Sequence, residues 1–136
     1  MKKLLFITAL ALVANAGFGQ TTTAAKSDLA TIVWAASTHD FGKIKQGVPV
    51  TYEFKFTNKG KAPLVIANAQ PSCGCTTPSW TRDPVQPGGE GHVKATYNAL
   101  NVGAFDKTIT VSANIEGGVV VLHIKGEVEA PVTKPN

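Results

Sequence analysis

Among 136 residues there are two cysteines and one methionine, and the methionine is Met1. Cys73 and Cys75 are separated by Gly74 alone, so no distant pair can bridge two sheets, and no Cys-x-x-Cys supports a thioredoxin-like enzyme. Charge is scarce, at 16% of residues. Beyond Lys2 and Lys3 the basic residues are scattered, with Lys43/Lys45 and Lys59/Lys61 the only close pairs, so neither a nucleic-acid stripe nor a polybasic membrane patch is expected. There is no Gly-x-Ser-x-Gly elbow, His-Glu-x-x-His helix or phosphate-cradling glycine loop. Asp40, Asp83, Glu90 and Asp106 stand isolated from one another, so no catalytic residue is assigned.

No apolar run reaches the roughly 20 residues that span a bilayer. The longest, Leu4 to Val13 with Thr8 inside it, follows Lys2 and Lys3 and precedes Ala14, Ala16, Gly17 and Gly19. That order predicts a secretory signal over residues 1–19, cleaved before Gln20, and a mature chain with no transmembrane segment. The protein is therefore expected to be exported, to the periplasm or beyond the cell. The formal charge of +4 includes Lys2 and Lys3, which would leave with the signal. Residues 20–31, rich in Thr, Ala and Ser, are expected to form a mobile leader, residues 32–129 a single domain, and residues 130–136 a frayed tail.

The domain reads as strands. Val50, Tyr52, Phe54 and Phe56 alternate with Thr51, Glu53, Lys55 and Thr57, the two-residue period of a half-buried strand. The residues from Asn58 to Lys61 then supply a turn, and Leu64-Val65-Ile66 begins the next strand. The stretch from Trp80 to Glu90 holds Pro84, Pro87, Gly88 and Gly89 and is expected to cross between sheets without regular pairing. Alternation resumes at Val93, Ala95 and Tyr97, and again at Phe105, Ile109, Val111 and Ala113, where Lys107 interrupts it in the manner of a residue near a strand's edge. Glu116-Gly117-Gly118 signals a hairpin into a last strand with Val120, Leu122, Ile124 and Val128 inward. Val119 and Val121 are apolar on the opposite face, which fits either ordinary sheet crowding or a partner surface. The pattern predicts an all-β, antiparallel sandwich of about seven strands, held by burial of aromatic and branched side chains.

Several motifs carry a family resemblance. They are His39-Asp40-Phe41-Gly42-Lys43-Ile44, the strand from Tyr52 to Gly60, Ser72-Cys73-Gly74-Cys75-Thr76, Pro87-Gly88-Gly89-Glu90, the Gly103 to Val111 strand and Lys125-Gly126-Glu127-Val128. In these the chain resembles a bacterial exported family catalogued as domain of unknown function fifteen-seventy-three. The resemblance implies an Ig-like sandwich of the Hydin and ASPM type, a class serving mostly as interaction or structural modules, and brings no catalytic residues. The extra glycine in Pro87-Gly88-Gly89-Glu90 departs from the family's usual turn.

The Cys-Gly-Cys loop is the candidate site. Residues two apart on an ideal strand lie about 6.5 to 7 Å apart at Cα, at the outer limit for a disulfide, so a bridge needs a bend that Gly74 can supply. Ser72, Gly74 and Thr76 are the loop-supporting candidates. Three readings stay open for Cys73 and Cys75: an inert local disulfide, a labile redox pair, and capture of a soft metal, copper or zinc. A closed zinc site needs further ligands, and His39, His92 and His123 have no metal-ligand spacing to the cysteines. Trp34 and Trp80 are candidates for a binding platform or for packing. The functional expectation is an exported, non-enzymatic Ig-like module that presents this loop or a sheet edge to a protein partner or the cell envelope, with no cofactor. The alternative is a periplasmic thiol or metal handler using Cys73 and Cys75. Oligomeric state is not set by the sequence.

Overall fold

The computed structural model describes residues 29–133. The expected signal peptide, most of the expected leader and residues 134–136 lie outside the described residues. Eight strands form two sheets: β1 (Ile32–Trp34), β2 (Thr38–Lys45), β3 (Val50–Asn58), β4 (Ile66–Pro71), β5 (Thr76–Trp80), β6 (Glu90–Tyr97), β7 (Gly103–Ala113) and β8 (Val119–Glu129). One sheet has the order β1-β3-β6-β5 and the other β2-β8-β7-β4. The all-β sandwich is the expected one.

Two differences from the expected strand pattern have physical causes. The entering chain divides at residues 35–37, so that β1 pairs antiparallel with β3 while β2 joins the other sheet and runs parallel to β8. The β2 register shifts between Asp40 and Lys43, where Asp40 Oδ1 accepts the Gly42 amide at 2.8 Å and Gly42 takes φ +64°; this local bulge hides any period-two signal. β5 occupies residues expected to be loop, and its Pro78 is tolerated because β5 is an edge strand bonded only to β6.

The core lies between the sheets, where Phe54, Phe56, Val93, Ala95, Ile109, Val111, Leu122 and Ile124 are buried. Each large side chain among them contributes about 1.5–3 kcal/mol relative to exposure. Asn58, at the end of β3, is with Thr76 one of two buried polar residues among those described. Its Nδ2 donates to the carbonyls of Ala62 (2.8 Å) and Val85 (2.9 Å), and its Oδ1 accepts the Gly60 amide (2.9 Å). Its own amide donates to Gly89 O and its carbonyl accepts from Gly88 N, so one side chain and its peptide groups tie β3 to the prolyl connection. The extra glycine is accommodated there: Gly88 has φ +81°.

Ala30 is buried and bridges Ile115, placing the end of the expected leader against the β7–β8 hairpin. The chain therefore enters at the hairpin pole. β8 leaves at the opposite pole, which carries the β2–β3 turn, the β4–β5 turn with both cysteines, and the β6–β7 loop.

Candidate functional site

The cysteine turn is held at both ends by the sheets it joins. Past Pro71, Ser72 extends the β4–β7 ladder: its amide donates to Thr108 O (2.9 Å) and its Oγ accepts the Thr108 amide (3.1 Å). The Thr76 amide closes the turn on Cys73 O (3.3 Å), and Thr76 starts β5 opposite Tyr97. Cys73 and Cys75 are brought together as a pair with Cα atoms 5.3 Å apart, closer than an ideal strand allows and within disulfide range. The buried Thr76 hydroxyl lies 3.9 Å from each sulfur. Gly74 is exposed, has no positive φ, and a Cβ there would meet nothing within 4 Å, so the bend does not draw on glycine's special backbone freedom.

Neighbouring loops are pinned to this turn. Cys75 O accepts the Asn98 amide (3.0 Å), and Asn98 Oδ1 accepts the Leu100 amide (3.3 Å). From the β2–β3 turn, Gly47 N donates to Ala99 O (2.9 Å) and Gln46 Nε2 to Leu100 O (2.9 Å). Ala99 is fully buried with φ +53°, a left-handed conformation costly for a residue with a Cβ and held here by these contacts. On this fixed frame three large apolar side chains face solvent: Val48 at 53%, Leu100 at 59% and Val102 at 54% exposure. Sequence reasoning missed them, because loop residues carry no periodicity to mark them.

The remaining candidates are committed elsewhere. His39 stacks on Tyr52 with ring centroids 3.6 Å apart, His92 Nδ1 meets Thr81 Oγ1 at 3.2 Å, and His123 Nδ1 lies 3.3 Å from Asp106. Among the described residues, no three His, Cys, Asp or Glu side chains gather into a metal-binding group. Trp34 packs edge-on against Phe56, and Trp80 lies under the Arg82 guanidinium and donates to Ile66 O (3.3 Å). Both tryptophans pack against the core. Lys107 stands one position beyond Thr108, in the part of β7 that β4 no longer covers, which is where an interrupted alternation near an edge belongs. No helix among the described residues is long and apolar enough to cross a membrane.

The fold recurs in solved structures of low identity. A protein of unknown function from Porphyromonas gingivalis W83 superposes with a TM-score of 0.67 at 16% identity, over 78% of this chain and 51% of that one. The ASH/PapD-like domain 7 of human CEP192 gives 0.59 at 10% identity, over 96% of this chain and 98% of that domain. The secreted serine protease VesC from Vibrio cholerae gives 0.54 at 14%, over 75% of this chain and 23% of that one. The chain thus spans about half of the first protein and about a quarter of the protease, and the likeness concerns the sandwich alone. No curated protein matches the chain. Residues 32–128, the sandwich from the start of β1 to the penultimate residue of β8, match the family described as "Protein of unknown function (DUF1573)", and the chain belongs to that family.

Proposed function

We propose that the protein is an exported, non-enzymatic interaction module of the cell envelope that presents the Cys73-Gly74-Cys75 turn to a protein partner. The carrying observation is the loop pole itself. The β6–β7 loop is tied by backbone hydrogen bonds to the cysteine turn on one side and to the β2–β3 turn on the other, and the exposed Val48, Leu100 and Val102 sit on these two neighbouring loops. Rigid loops with exposed apolar side chains on a sandwich frame lose little conformational entropy on binding. A photo-crosslinking residue at Leu100 tests the reading in the producing cell. A discrete protein adduct is expected from Leu100 and none from Thr51, which lies on the outer face of β3. Equal adducts from both positions, or none, would sink the proposal.

A second reading rests on the sulfurs. Both cysteines are only partly buried, and the Thr76 hydroxyl lies 3.9 Å from each sulfur. An accessible sulfur pair of this kind can exchange with other thiols or, when reduced, bind soft metals such as copper(I). The intact mass of the protein, purified with a thiol-blocking reagent present from lysis, separates these states. A mass two hydrogens below the reduced chain, with no blocking group, supports a bridge; a metal-sized increment supports capture; two blocked thiols dismiss the bridge.

A further inference from the structure

A sheet leaves unpaired amides and carbonyls along every uncovered edge, and folded proteins discourage pairing there with proline, charge, bulges or brevity. This domain uses all four. β1 is three residues long, β2 carries the Gly42 bulge with Asp40, Lys43 and Lys45, β4 ends in Pro71, and β5 has Pro78 on its outer side. The uncovered stretch of β3 holds Glu53, ion-paired at 3.3 Å with Lys94, and that of β7 holds Asp106. One short stretch has no proline, charge or bulge.

β2 joins β8 only from His123 onward, whose amide donates to Ser37 O at 2.8 Å. Before it stand Val119, Val120 and Val121. Ala113 N donates to Gly118 O, and the β7–β8 register pairs Val111 with Val120 and Ile109 with Leu122. Alternation along the ladder therefore turns the peptide groups of Val120 and Leu122 toward β7 and those of Val119 and Val121 outward. Two amides and two carbonyls face the open edge, and none has a hydrogen-bond partner among the described residues. The side chains of Val119 and Val121 are exposed on the sheet's outer face. On the inner side lies a slot of about 260 Å³ lined by Ala30, Thr31, Ile32, Ile115, Glu116 and Val120. Glu116 is exposed and has no ion-pair partner among the described residues.

We propose that the Val119–Val121 edge of β8 binds an extended polypeptide segment by strand addition, with one aliphatic side chain entering the slot and a basic residue beside Glu116. Two donors and two acceptors repeated at the roughly 7 Å spacing of alternate strand residues match a peptide backbone. The apolar lining selects the inward side chain, and the free carboxylate selects the neighbouring charge. The inference rests on the interaction-module reading but uses the hairpin pole, away from the cysteine turn.

Amide hydrogen exchange on the full chain tests it, with the capped peptide Lys-Thr-Val-Thr-Val-Thr as probe and, as control, the same sequence N-methylated at alternate residues. At saturating peptide, exchange at Val119 and Val121 slows by about tenfold or more. The Val120 amide, already bonded to β7, keeps its rate, and the methylated peptide has no effect. Glu116→Gln weakens binding of the lysine peptide several-fold. The double variant Cys73→Ser/Cys75→Ser responds as the parent does, so failure of the loop reading leaves this result intact. Unchanged exchange, equal action of the methylated peptide, or protection already present without peptide would overturn the proposal. In the last case, dependence on protein concentration identifies a second copy as the occupant, and independence identifies the chain's own preceding residues.

Discussion

The carbonyl of Cys75 accepts the amide of Asn98 at 3.0 Å, which joins the turn carrying both sulfurs to the loop carrying Leu100. The turn's other anchors are backbone groups or Ser72, so its position does not depend on sulfur chemistry. Cys73→Ser/Cys75→Ser is therefore expected to fold, with a loss of at most about 2 kcal/mol, the chain-entropy contribution of so short a ring. Urea unfolding without reductant checks this. A loss above about 4 kcal/mol would make the sulfur pair a structural staple.

Asn58 is expected to be far less replaceable. Asn58→Ala removes both donors to Ala62 O and Val85 O and strands the Gly60 amide, at a cost of about 2–4 kcal/mol. Asn58→Asp keeps an acceptor for Gly60 but buries a carboxylate against two carbonyls. Burial raises that carboxyl's folded pKa, so the Asp variant is least stable at neutral pH and recovers as pH falls and the group protonates. Urea midpoints of both variants at neutral and mildly acidic pH give the comparison.

Two glycines should respond oppositely to alanine. A Cβ at Gly126 would lie 2.8 Å from Gly42 O and 3.0 Å from the Phe105 ring, so Gly126→Ala must push β2 from β8 and is expected to cost about 1–3 kcal/mol. Gly74→Ala meets open space and is expected to stay within about 0.5 kcal/mol of the parent. Thermal unfolding of the two variants side by side is sufficient.

One ion pair gives a pH prediction. Lys43 Nζ donates to Glu129 Oε1 at 2.9 Å, and this bond, followed by the charges of Glu129 and Glu127, holds the Lys43 pKa above its usual 10.5. A raised folded pKa means that the contribution is complete below the unfolded value and is lost as pH climbs through the folded one. The stability difference between the parent and Lys43→Met should accordingly vanish in strong alkali. It should also shrink in molar salt, because both groups are exposed.

The strands legible in the sequence are those with one face in the core: Phe54 and Phe56 in β3, Val93 and Ala95 in β6, and Ile109 and Val111 in β7 are buried as their alternation requires. The entering chain was not legible, because β2 meets a parallel neighbour through a bulge and β1 is too short to show a period. Asn58 reads locally as a turn former, and its bond to Gly60 fits that, but its bond to Val85 spans 27 positions and has no local signal. At the site, the cysteine motif and Ser72 could be found by eye. Ala99, Val48, Leu100 and Val102 became neighbours of that motif only through the pairing of β3 and β5 with β6.

The divided entry of the chain also has a mechanical consequence. Tension applied between Leu29 at the hairpin pole and Thr133 at the loop pole pulls β1 lengthwise along β3, and β2 lengthwise along β8. Bonds loaded along the strands share the force and must break together, whereas bonds loaded at one end of a hairpin open in sequence. The seam between β2 and β8 is thus a clamp whose resistance to pulling is set by the rate of forced unfolding and not by equilibrium stability.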